Sequence, residues 1–155
     1  MLPSLADAAE IFAATFGFAL LSGLIPFLNV EAYLLSVSAL LPDAPLLPVV
    51  VAASAGQMTA KSLLYLVARG ALRPPAERCE DGMQRLAASL ARGTGRATAL
   101  VFVSAVVGLP PFYAVSLAAG LLRFRLDCFL AAGSSGRLLR FAAVFVLPRL
   151  MTLPA

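Results

Sequence analysis

Hydrophobic positions run along the chain in four long blocks, with the polar and charged positions gathered between the blocks. Residues 11–41 carry a single charge, Glu31, and are interrupted near the middle by Gly23, Pro26 and Asn29. Residues 46–68 form a second block. Residues 97–122 form a third, broken by Gly108, Pro110 and Pro111, and residues 128–147 a fourth that holds Arg137 and Arg140 and is ended by Pro148. A helix needs about 20 apolar residues to cross the hydrocarbon core of a bilayer. The two unbroken blocks therefore predict crossing helices. The broken blocks predict helix pairs, because proline removes a backbone donor and clashes with the preceding turn while glycine weakens a helix interior.

The two broken blocks share a pattern. Gly23-Leu24-Ile25-Pro26-Phe27 aligns with Gly108-Leu109-Pro110-Pro111-Phe112 at an offset of 85, as Val30 does with Val115, and each copy precedes an unbroken block. Broken segments at corresponding places in two halves point to inverted-repeat membrane proteins. The expected fold is an all-α integral membrane protein in one domain: a first half over 1–68, a basic connector over 69–96 and a second half over 97–147. Each half would be a re-entrant helical hairpin followed by a transmembrane helix, with tips at Pro26 and Phe27 and at Pro110, Pro111 and Phe112. Two proline-kinked helices that resemble each other through shared apolar composition are the alternative.

Charge placement bears on that choice. If both broken blocks dip in and return, the stretches 69–96 and 123–127 lie on one side with eight arginines, and the other side keeps only Arg149. The positive-inside rule then puts the Arg-rich loop in the cytoplasm, and the inner membrane is the location expected. Ordinary crossings would place Arg123 and Arg125 opposite the loop and weaken the asymmetry. Within the loop, Met83, Leu86, Ala87 and Leu90 recur at helical spacing away from Arg85 and Arg92, the pattern of a short interfacial helix, although a solvated connector fits too. The N-terminus, with Asp7 and Glu10 and no basic residue, lacks the positive region of a cleaved signal peptide.

Composition narrows the chemistry. Hydrophobic residues make up 61% of the chain, above the ~45–50% of soluble domains, and charged residues only 13%, so neither a disordered chain nor an ordinary soluble domain is expected. With no histidine and two cysteines, Cys79 and Cys128, no usual zinc site or imidazole base is available, and no cofactor or metal is expected. On the cytoplasmic side both thiols would stay reduced, as packing residues. No nucleophile and base pair is visible, which argues against an enzyme, and no solvated basic face with aromatic platforms argues for nucleic acid.

Four ionisable residues lie inside apolar blocks: Glu31, Lys61, Arg137 and Arg140. Each would cost ~2.5–3.5 kcal/mol at the bilayer centre, so such groups face internal cavities and pair with one another. Glu31 follows the break at Pro26 and Asn29, where a tip leaves backbone groups to meet a ligand, and could carry a proton or serve as a counter-ion to Arg137 or Arg140. Gln57, Lys61 and Tyr65 share one face of the second block at i, i+4 and i+8, though Lys61 could instead snorkel toward the interface. Ala52, Gly56 and Ala60 form a small-residue stripe suited to helix packing, and through it a homo-oligomer. Gly133, Gly136, Arg137 and Arg140 share a face of the fourth block. Guanidiniums there suit an anionic phosphate, or act as clamps on hairpin carbonyls.

The residues also resemble a known family. Pro111-Phe112, Ala119-Gly120, Arg123-x-Arg125 and Phe129-x-x-x-Gly133 look like the second conserved stretch of the DedA family, also called the VTT or SNARE-associated domain. Gly23-x-x-Pro26-x-x-Asn29-x-Glu31, then Gly56-Gln57 and Tyr65-x-x-x-Arg69-Gly70, are similar to its first hairpin and following helix. The similarity runs over about residues 16–145 and looks like the short, minimal subgroup. It implies two oppositely oriented re-entrant hairpins, transport of a lipid such as undecaprenyl phosphate or phosphatidylethanolamine, scrambling in eukaryotic relatives, and proton-linked behaviour. The family's acidic residue in the first hairpin maps onto Glu31, and its late arginine onto Arg140 or Arg137. Gln57 stands where many members place an aspartate, and the arginines that often flank the second hairpin's prolines are absent from 97–122.

The function expected is thus a flippase or scramblase for a phosphate-bearing lipid. Its site would draw on Glu31, Arg137, Arg140, Lys61, Gln57 and Asn29, and its partners would be membrane lipids with an anionic head group. A non-transporting scaffold or envelope-maintenance factor, in which the charges are structural pairs, and a small-ion or drug exporter are the alternatives.

Overall fold

A computed structural model describes residues 5–25, 28–41, 43–71 and 81–151, and among these all regular structure is helical. The helices are α1 (Leu5–Leu24), α2 (Val30–Leu40), α3 (Leu46–Ala71), α4 (Asp81–Ala91), α5 (Thr94–Val107), α6 (Phe112–Leu121) and α7 (Leu126–Met151). Both broken blocks stop and restart where expected: α1 and α2 flank the first break, α5 and α6 the second. Pro26 and Phe27 at the first tip, and Cys79 in the connector, lie outside the described residues.

Two helices, over Leu46–Gly70 and Leu126–Pro148, are long and apolar enough to cross a membrane. At 1.5 Å per residue, α2, α5 and α6 reach only about 15–21 Å, short of the ~30 Å hydrocarbon core. One boundary differs from expectation. Pro148 does not end the fourth block but lies inside α7, which continues to Met151. So near a C-terminus a proline removes only one hydrogen bond, and the last turn continues past it.

The described chain forms two compact units. The first contains α1, α2, the N-terminal part of α3 to Ala60 and the C-terminal part of α7 from Arg137. Its core is Ala19, Val30, Leu34, Ala44, Val49, Val50, Ala53, Phe141 and Phe145, drawn from all four pieces and the α2–α3 turn. Two buried polar side chains bond across this unit. Ser38 Oγ donates to the Phe145 carbonyl at 2.7 Å, and Gln57 Nε2 donates to Ser22 Oγ at 2.6 Å. Tyr33 stacks on Phe18 with ring centroids 4.5 Å apart, its hydroxyl 3.2 Å from that of Thr15.

The second unit contains the C-terminal part of α3 from Lys61, then α4, α5, α6 and the N-terminal part of α7 to Gly136. Phe129 lies between Tyr65 and Phe112, its ring centroid 5.2 and 5.9 Å from theirs. The Tyr65 hydroxyl donates to the Phe124 carbonyl and accepts from Arg69 Nη1 at 3.0 Å. The break between α5 and α6 is closed by Gly108 in the left-handed region (φ 85°) and by Ser104 Oγ donating to the Pro110 carbonyl at 2.6 Å. The connector helix is present as α4, with Leu90 buried and Arg85 exposed, and it packs against α5 and α6.

Close glycine contacts with a carbonyl and an alanine side chain occur in both units, at Gly23 and Gly56 in the first and at Gly120 and Gly136 in the second. Gly56 on α3 meets the Phe16 carbonyl and the Ala19 side chain of α1, and Gly136 on α7 meets the Phe102 carbonyl and the Ala105 side chain of α5. A Cβ at Gly56 would lie 3.0 Å from the Ala19 Cβ, and one at Gly136 would lie 2.6 Å from the Ala105 Cβ. Small residues let helix backbones approach this closely, as the stripe on α3 anticipates. Gly17, on α1, has nothing within 4 Å of the Cβ it would gain. Gly56→Leu is therefore expected to destabilise the protein by about 1–3 kcal/mol through overpacking. Gly17→Ala should stabilise by roughly 0.5–1 kcal/mol through helix propensity. Heating in detergent, with the folded fraction followed by size-exclusion chromatography, reads both; equal midpoints for the two variants would contradict the close α1–α3 contact.

Candidate functional site

The first unit brings together three of the four intramembrane charges expected from sequence. Its framework is local. Asn29 is the N-cap of α2, its Oδ1 accepting from the backbone of Glu31 at 2.9 Å and of Ala32 at 3.3 Å. That cap satisfies donors that a helix starting in apolar sequence would otherwise leave open. It also puts Glu31 in the first turn, where the helix dipole favours a negative charge. Asn29 thus has a structural task, and Glu31 is placed by it.

Glu31 Oε1 accepts from Arg140 Nε at 2.7 Å, across 109 positions of sequence. The side chains are 29% and 22% exposed, so the pair is partly covered yet open on one side. Arg137 lies three residues earlier on α7, 8% exposed, its guanidinium 5.6 Å from the centre of the Phe141 ring. Two guanidiniums and one carboxylate leave this cluster with one net positive charge. Such a site attracts an anion, and the planar fork of arginine suits a phosphate or carboxylate.

Gln57 is buried in the same unit, where its amide is engaged by Ser22, itself donating to the Ala19 carbonyl at 3.1 Å. It ties α3 to α1 as a packing hydrogen bond. Ser54, one turn earlier on α3, is also buried, and its Oγ has no hydrogen-bond partner among the described residues. Lys61 belongs to the second unit. It is 6% exposed, with its ammonium 5.3 Å from the centre of the Tyr113 ring on α6. The aromatic face of Tyr113 receives the cation within the protein. The net charge of +2 on these four residues divides between the units, one in the Glu31, Arg137 and Arg140 cluster and one on Lys61. Pro110 and Pro111 form the second break, and Phe112 is buried at the start of α6.

Sequence reading missed the partners. Ser22, Tyr113 and Phe141 each meet one of the expected residues, and of these only Tyr113, beside the second break, carries a local signal. Compared with protein-family models, curated proteins and solved structures, the chain matches none.

Removing one member of a buried, hydrogen-bonded charge pair leaves the other uncompensated and costs about 2–5 kcal/mol. Because the Glu31–Arg140 pair is open on one side, Glu31→Gln or Arg140→Gln alone is expected to cost about 2–3 kcal/mol, in the lower part of that range. The double variant should recover most of it. A double-mutant cycle on thermal unfolding in detergent tests this, and additive losses would mean the two residues do not interact.

Proposed function

We propose that the protein is an integral membrane protein, similar to the DedA family, that moves a phosphate-bearing lipid between leaflets. The observation that carries this reading is the partly open Glu31–Arg140 ion pair with Arg137 beside it, on helices whose composition suits a membrane. In this reading each broken helix pair is a re-entrant hairpin, the two halves are inverted repeats, and α3 and α7 cross the bilayer. The short reach of α2, α5 and α6 and the like contacts at Gly56 and Gly136 support that arrangement. The Arg-rich stretch 69–96 would face the cytoplasm from the inner membrane, with α4 lying at the inner-leaflet interface.

The mechanism follows from charge. With Glu31 ionised, the carboxylate occupies Arg140 and the cluster carries one positive charge. A lipid phosphate that takes the place of the carboxylate on Arg140 brings negative charge to a cluster that carries one positive charge. The lipid tails remain in the hydrocarbon throughout, and only the head group needs the cluster. Phosphatidylethanolamine and undecaprenyl phosphate are the substrate candidates. The second unit's Lys61 and Tyr113 offer a further cation for a phosphate on its path.

A second reading has its own support. Glu31 and Arg140 are hydrogen-bonded to each other as a structural pair would be, and a non-transporting scaffold would need no more. Reconstitution separates the two. Liposomes carrying fluorescent phosphatidylethanolamine or polyprenyl phosphate should show transbilayer exchange with wild type. Exchange should fall about tenfold or more in folded Arg140→Gln, in line with the ~1.5–3 kcal/mol of a charge-assisted hydrogen bond. In Glu31→Gln it should fall as well. The double variant should fold and remain inactive. Absence of exchange above empty liposomes, with either lipid and with or without a pH gradient, would overturn transport and leave the scaffold.

A further inference from the structure

The second unit has a feature of its own where α4 meets α5. There the surface forms an open groove of about 330 Å³ lined by Ser89, Arg92, Arg96, Ala99, Leu100 and Val103. The four α5 residues follow the spacing i, i+3, i+4 and i+7, so they form one stripe along the helix. Arg96 is at its N-terminal end, and the apolar positions extend for about 10 Å beyond it. Val107 continues the stripe one turn further and is 57% exposed. The groove is polar and cationic at one end and hydrocarbon along the rest.

The charge at that end is unbalanced. From Gly82 to Leu126 the chain contains five arginines and no acidic residue. Arg92 and Arg96 are both exposed, and neither forms an ion pair with any described residue. The N-cap of α5 is Gly93, which supplies no capping side chain, so the first backbone N–H groups of α5 add to the positive potential at the same corner.

We propose that this groove holds an anionic phospholipid, its phosphate between Arg92 and Arg96 and one acyl chain along Ala99, Leu100 and Val103. A zwitterionic lipid would bring its own cation into a corner that already has two. An apolar partner helix would leave both guanidiniums without counter-charge. The groove also differs from the Glu31, Arg137 and Arg140 cluster in having no carboxylate to displace, so a lipid there stays bound and orders the α4–α5 corner. The inference rests on the membrane placement given above but does not require that the protein transports anything.

Native mass spectrometry of the full-length protein, released from detergent and titrated with phosphatidylglycerol or phosphatidylcholine of identical chains, tests it. Wild type should retain phosphatidylglycerol in preference to phosphatidylcholine. In the double variant Arg92→Gln/Arg96→Gln, phosphatidylglycerol retention should fall about tenfold to thirtyfold, as expected for two arginines at a charged lipid surface. Ala99→Phe, which fills the apolar part and leaves both charges, should also lose it. Arg125→Gln, whose guanidinium is paired with Asp127 at 2.6 Å, should behave as wild type. Equal retention of the two lipids, equal retention by wild type and the double variant, or equal binding of soluble glycerol phosphate would overturn the proposal. Retention in Glu31→Gln separates the two sites. Lipid held without exchange leaves the groove standing and removes transport, and exchange without preferential retention does the reverse.

Discussion

A helix that stops inside apolar sequence leaves backbone donors and acceptors open at its ends, and that constraint shapes both broken segments. At the first break, Asn29 turns its side chain back onto the opening N–H groups of α2. At the second, Gly108 takes the left-handed conformation at the end of α5, and Ser104 donates to the Pro110 carbonyl. These are small polar residues and a glycine, placed where the chain reverses within a hydrophobic run. With its backbone satisfied, each break can remain in a nonpolar setting. The position of Glu31 in the first turn of α2 is a direct product of the same cap.

Once the breaks are satisfied, close backbone approach holds the helices. Gly56 admits α1, Gly136 admits α5, and Gly120 on α6 lies against the Tyr65 carbonyl and the Ala68 side chain of α3. The large side chains that fill the remaining space are aromatic: Phe141 and Phe145 in the first unit, Tyr65, Phe112 and Phe129 in the second. The buried polar side chains that are satisfied are tied over short reaches, mostly to serine hydroxyls or backbone carbonyls. The Glu31–Arg140 bond is different in kind, because it joins full charges and stays open on one side.

The blocks, their breaks and the connector helix were legible in the sequence because each depends on local chemistry. Twenty-odd apolar residues make a long helix, and glycine, proline and asparagine interrupt one, wherever the rest of the chain lies. Pro148 was misjudged because a proline ends a helix only if the turn after it has no reason to continue. The four charges within apolar blocks were legible as well, since hydrocarbon composition makes any charge conspicuous. Their pairing was not. Glu31 had two arginines within one turn of each other as candidates, and only the packing of α2 on α7 selects Arg140 over Arg137. The aromatic partner of Lys61, Tyr113, is 52 residues distant, and the hydrogen-bond partner of Gln57, Ser22, is 35 residues distant.

Both long helices are shared between the compact units: α3 changes unit after Ala60, and α7 after Gly136. The halves of the gene and the halves of the fold are therefore not the same division. A polypeptide ending at Ala71 would carry α1, α2 and α3, but it would lack the Phe141, Phe145 and Arg140 that complete the first core and neutralise Glu31. The second half alone would lack Tyr65, on which Phe129 stacks and against whose carbonyl Gly120 packs. Neither half is a module that can be cut out, fused or inherited by itself. Each half depends on the other for the end of its longest helix.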